Sequence, residues 1–199
     1  MRIATLTIFL FLFANSLTAQ QNSFRFTRYN VDDGLSQNWV RAIGQDSSGV
    51  VWFGTKDGLD RFFGYNIYSF NYIPFSSGGL NHPTINSITT IGDKLWIGTQ
   101  NGINIFDLSG KKLTSFPFLR DMSVTSVKQD QGGNMWLGTD RGLYRLSPDR
   151  RMLTHMNEDV LPEGLLGDTT QCLLVDSQKT LWVGTNNGLN RIFTDEKGN

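Results

Sequence analysis

The sequence is poor in the residue patterns that do covalent chemistry. It holds two histidines, His82 and His155, and one cysteine, Cys172. The histidines lie far apart, fit no metal-ligand spacing and form no triad pattern with the acidic residues. The acidic doublets Asp32-Asp33 and Glu158-Asp159 are sequence neighbours. On a strand their carboxylates would point to opposite faces and share no substrate, so a glycosidase pair is not suggested. The glycines fall at hairpin turns and not between a strand and a helix, which argues against a phosphate cradle. No catalytic residue, metal ligand or cofactor is expected. Non-covalent recognition is a different matter. Tyr72, Phe75 and His82 share one long connection, and such aromatic faces beside polar groups suit the apolar side of a sugar ring.

Those residues need a scaffold, and the scaffold is visible as a repeat. Trp-x-Gly-Thr occurs at Trp52, Trp96, Trp136 and Trp182, with spacings of 44, 40 and 46 residues. Each Gly-Thr is followed, two residues on, by a glycine and an apolar residue: Gly58-Leu59, Gly102-Ile103, Gly142-Leu143 and Gly188-Leu189. A β-type run precedes each tryptophan, 40–45 and 124–129 being clear cases, and Asp46-Ser47-Ser48-Gly49 and Asp130-Gln131-Gly132-Gly133 supply turns. The fourth copy keeps Asp176 but has Lys179 for glycine, and the second turns at Gly92-Asp93. Asp57-Gly58, Asn101-Gly102 and Asn187-Gly188 favour tight primed turns. Further strands follow at 67–70, 113–116 and 153–156. The fold class is therefore all-β: a propeller of four-stranded antiparallel blades, four of them present, centred on the four tryptophans.

A lone blade buries neither face, so each must stack on a neighbour, and the tryptophan is the large side chain that fills the interface. The glycine two residues later shares its face and leaves room for the next blade. The short turns all lie on one side of such a ring, exposing Lys56, Asp57, Gln100, Asn101, Asp140, Arg141, Asn186 and Asn187. Their types are what tight hairpins need, so they are assigned to structure. The longer connections 71–84 and 157–169 open on the same side and are the better binding candidates. Cys172, alone and in the strand 171–175, is expected to be a buried apolar residue.

Residues 1–19 read differently: Arg2 followed by a nearly apolar run to Leu17, then Thr18-Ala19, as in a secretory signal peptide. Export is expected, with propeller repeats over 20–199. With 18 basic and 18 acidic side chains and no basic cluster, nucleic acid and anionic membrane are not expected partners.

These repeats resemble the two-component regulator propeller family of the periplasmic sensor regions of Bacteroidetes hybrid two-component systems. The lead-in from Tyr29 to Asn38 (Tyr-Asn-Val-Asp-Asp-Gly-Leu-Ser-Gln-Asn) and the stretch from Gln45 to Arg61, with Asp46, Trp52, Gly54, Thr55 and Gly58, carry the resemblance. It implies larger, seven-bladed rings, a periplasmic location, sensing of oligosaccharides, self-association in the full-length protein, and kinase and DNA-binding modules beyond the region present here. By that resemblance this chain is an N-terminal sensor fragment without kinase activity. A secreted propeller enzyme, lyase or glycosidase, and a protein-interaction propeller are the alternatives. Residues 24–29 resemble an unpaired strand that could complete the fourth copy and close a four-bladed ring; part of a larger ring is the preferred reading.

Overall fold

The computed structural model describes residues 24–70, 78–156 and 164–193. It arranges them as four antiparallel sheets, each in simple up-and-down order. Blade one contains β1 (Val40–Gln45), β2 (Val51–Thr55), β3 (Leu59–Phe63) and β4 (Asn66–Phe70). Blade two contains β5 (Ile85–Ile91), β6 (Lys94–Thr99), β7 (Gly102–Asp107) and β8 (Lys112–Ser115). Blade three contains β9 (Val124–Gln129), β10 (Met135–Thr139), β11 (Gly142–Leu146) and β12 (Leu153–His155). Blade four has three described strands, β13 (Thr170–Val175), β14 (Thr180–Thr185) and β15 (Gly188–Phe193). The all-β propeller architecture expected from the repeat is the one found.

Packing runs from blade to blade. Trp52 is buried with Ile85, Leu95 and Ile97 of blade two, Trp96 with Val124, Val127, Met135 and Leu137 of blade three, and Trp136 with Leu173, Leu181 and Val183 of blade four. Burying one such ring removes on the order of 150–250 Å² from water. The glycine of Trp-x-Gly-Thr is sterically required. A Cβ on Gly54 would lie 2.5 Å from Ile85 Cγ2, and one on Gly138 2.6 Å from Thr170 Cγ2. A β-branched residue of the next blade thus fills the space each glycine leaves.

The aspartate ahead of each tryptophan does more than make a turn. Asp46, Asp130 and Asp176 each accept a 2.8 Å bond from the indole N–H of Trp52, Trp136 and Trp182 while the other carboxylate oxygen caps the turn backbone. Blade two lacks this aspartate, its turn being a residue shorter, and the buried indole nitrogen of Trp96 has no hydrogen-bond partner. The Arg150 guanidinium lies 4.6 Å from the Trp96 ring centroid instead.

Three expectations are corrected. Residues 24–29 form no strand; Phe24 and Phe26 are exposed, and Tyr29 meets Phe62 edge-on. No closing strand reaches blade four from this segment. The turn after Trp-x-Gly-Thr is not primed, because its two loop residues keep negative φ and the glycine that follows takes the positive value, as at Gly142 (98°). The threonine side chain explains this: Thr139 Oγ1 accepts from the Arg141 N–H and donates to the Gly142 carbonyl, and Thr55, Thr99 and Thr185 repeat the pattern. Cys172 is exposed, not buried, because it stands on the tryptophan face of blade four, which no other described blade covers.

Candidate functional site

The short β2–β3-type turns and the long connections between blades do share one side of the molecule, and hydrogen bonds tie them together. Thr84 Oγ1 donates to the Lys56 carbonyl and Thr169 Oγ1 to that of Asp140. The side chains of Asn101, Asp140 and Asn186 accept from the backbone N–H groups of Asp121, Ser123 and Thr169. Those three turn residues are occupied in holding loops, as their assignment to structure requires. Lys56 sits 3.9 Å from the Trp39 ring centroid.

A second set of anchors fixes the segments that lead into blades one, two and four. Asp60, fully buried, accepts from the backbone and hydroxyl of Ser36. Asn104 accepts from Asn81 N–H, and Asn190 from Leu166 N–H, at the matching strand position. Blade three alone has an aromatic residue there, Tyr144. Its ring stacks on His155 with centroids 4.5 Å apart and planes 17° apart. Burial pushes the Tyr144 phenol pKa up, so the hydroxyl stays a neutral donor.

This substitution borders an opening on the loop side, a depression of about 460 Å³. Its wall is formed by Asp140, Arg141 and Gly142 of the blade-three turn, His155 and Met156 after β12, and Gly164 to Asp168 of the next connection. The size is that of a small-molecule site. One charged fork, one imidazole and two carboxylates converge around an apolar patch from Met156 and Leu165, a combination able to bind hydroxyl groups and rest against a ring face. A smaller hollow of about 350 Å³, with Asn81, Asn101, Ser115, Arg120 and Asp121, occupies the blade-two turn.

The sequence candidates are placed differently. Tyr72 and Phe75 lie outside the described residues. His82 is half-buried at the blade-one to blade-two connection, where its Nδ1 accepts from the Thr84 N–H at 3.0 Å. Burial holds its pKa below the usual histidine value, so it is a neutral ring that caps its loop. His155, which fits no metal or triad pattern in the sequence, is the histidine that lines the depression. Its signal was the aromatic Tyr144 standing where the other copies carry Asp60, Asn104 and Asn190.

Four tryptophan-centred antiparallel sheets stacked in sequence, with loops gathered on one side, define a β-propeller repeat protein. Three segments, residues 34–57, 119–141 and 164–187, match the model of the two component regulator propeller. Those three segments are similar to that repeat. It is 39% identical over 80 residues to Histidine kinase P4 of Formosa agariphila, a match covering 40% of this chain and 6% of that protein. The extracellular domain of a hybrid two component system from B. thetaiotaomicron superposes with a TM-score of 0.77 at 22% identity, over 88% of this chain and 24% of that one. Streptogramin B lyase shares the fold more loosely, with a TM-score of 0.58 at 14% identity over 79% of this chain and 55% of that one. The chain thus spans a small part of the length of its first-named relatives.

Proposed function

We propose that this chain is the exported, ligand-sensing propeller region of a hybrid two-component regulator, and that its ligand is an oligosaccharide bound on the loop side. The observation that carries the reading is the depression beside Arg141 and His155, on a propeller whose repeats are those of two-component regulators. Residues 1–19 act as the signal peptide and deliver the repeats to the periplasm. The region is a binding module without catalysis of its own. Output comes from modules that lie elsewhere in a longer protein. Arg141 donates to sugar hydroxyls or to a uronate carboxylate, and the Tyr144–His155 pair stiffens the wall behind it. Tyr72, Phe75 and His82 extend the binding side over the neighbouring connection.

Calorimetry against a panel of neutral and acidic oligosaccharides tests this. Saturable binding is expected, reduced at least tenfold by Arg141→Ala and by His155→Ala, with unchanged thermal unfolding. Loss on Tyr72→Ala or Phe75→Ala would place the ligand across both connections. A folded chain that binds no member of the panel would overturn the oligosaccharide reading.

A further inference from the structure

Tyr144 changes the chain ahead of blade three as well as the surroundings of His155. Ser36, Asn81 and Leu166 each stand four residues before the first strand of their blade, and each donates its backbone N–H to Asp60, Asn104 or Asn190. The matching residue ahead of blade three is Arg120. Tyr144 offers it neither a carboxylate nor an amide oxygen, and its ring is taken up by His155. The backbone on both sides of Arg120 is unusual. A leucine precedes this position in all four copies, as Leu35, Leu80, Leu119 and Leu165, and of these only Leu119 has a positive φ, 64°. Asp121 holds φ 61° where blade four places Gly167. Such a conformation is unfavourable for any residue but glycine and, to a smaller degree, Asn or Asp.

Strain of this kind persists only where the surroundings over-determine it. The Leu119 side chain is buried in the core between blades two and three. Asp121 N–H donates to the Asn101 side chain at 2.7 Å, and Gly102 N–H to the Met122 carbonyl at 2.8 Å. Arg120, fixed on either side, is exposed and lines the hollow of about 350 Å³ at the blade-two turn.

That hollow and the depression beside Arg141 occupy the same place in successive blades. Asn101 and Arg141 are the same turn residue, and Ser115 pairs with Asn104 as His155 pairs with Tyr144. One short segment separates them. Asp121 borders the first, and Ser123 donates its N–H to Asp140, which borders the second. Two residues of chain span at most about 7 Å. The two linings are complementary in character: Met156 and Leu165 give the blade-three depression an apolar patch, whereas the blade-two hollow is lined by polar and charged side chains throughout.

We propose that the two hollows are successive subsites of one groove, occupied by a linear oligosaccharide that rests a ring face in the blade-three subsite and gives hydroxyl groups to Arg120 in the blade-two subsite. The inference rests on the carbohydrate reading of the loop side. Arg120 is a binding residue in it, held ready by the constrained backbone at Leu119 and Asp121.

Calorimetry with length-graded fractions of a neutral glucan and of a polyuronide, from the single sugar upward, tests the groove in the unsubstituted chain, Arg120→Ala and Arg141→Ala. Arg120 is exposed, so its variant is expected to fold, as an unchanged thermal midpoint would verify. Affinity should rise with chain length. Arg120→Ala should weaken the longest fraction by about tenfold, the scale of a lost charged hydrogen bond, and leave the shortest fraction that binds unchanged, while Arg141→Ala weakens both. Binding that is independent of length, that ignores Arg120→Ala, or that falls equally for short and long fractions would overturn the two-subsite groove and leave the blade-three site standing. A folded chain that binds no fraction would overturn the carbohydrate reading, and the groove with it.

Discussion

At the scale of single residues, the aspartate six positions before Trp52, Trp136 and Trp182 decides how well the interface side chain is held. Asp130 serves Asn134 and the buried Trp136 indole together. Asp130→Ala leaves that N–H unsatisfied, at a cost of about 1–3 kcal/mol, and chemical denaturation should show the loss, with Asp130→Asn falling between the two. The same contacts couple folding to pH. For Asp176 the Trp182 indole is the main cause of a pKa held below the usual carboxylate value, followed by the Thr180 N–H. For Asp46, burial pushes the pKa up, but bonds from Ser48, Trp52 and Val50 outweigh it and the net direction is down. A carboxylate depressed in the folded state stabilises fully above its unfolded pKa, and that contribution disappears as pH falls through the folded value. Thermal unfolding should therefore stay level down to about pH 5 and fall below about pH 4. Asp46→Asn with Asp176→Asn should lower the neutral-pH value and flatten the acid slope. An unchanged slope would mean that other carboxylates govern the acid response.

At the scale of the strand and blade, glycine and its β-branched partner form a matched pair across each interface. Gly138→Ala puts a methyl group against Thr170 Cγ2 and Thr125 Oγ1, an overpacking expected to cost about 1–3 kcal/mol. Thr170→Ser removes one branch of the opposing side chain and should recover part of that loss, so a double-mutant cycle should give a favourable coupling. This much was legible in the sequence, because the repeat superimposes each Trp-x-Gly-Thr at the same strand position and strand alternation then fixes which residues share a face. The turn conformation was not legible from Asp-Gly and Asn-Gly alone, since the threonine hydroxyl one step earlier selects it. The strand expected at 24–29 has apolar residues but lacks a partner edge. Of the candidate site, the side on which it lies followed from topology, whereas the Tyr144–His155 stack depends on two residues in adjacent strands that no local pattern links.

At the scale of the molecule, an array that contacts only nearest neighbours distributes its stability by position. Blades two and three are covered on both faces, and their central residues Trp96, Ile97, Trp136 and Leu137 are at most 1% exposed. Among the described residues no other blade covers the Phe53 and Ile43 face of blade one, where Tyr29 meets Phe62, or the Trp182 and Leu189 face of blade four. Local opening is easiest where fewest apolar contacts must be broken. Hydrogen exchange should therefore be slowest in β5 to β7 and β9 to β11 and faster in β2, β3, β14 and β15. Equal protection of all four blades would mean that the blades unfold as one cooperative unit, and that the less covered faces cost the end blades nothing.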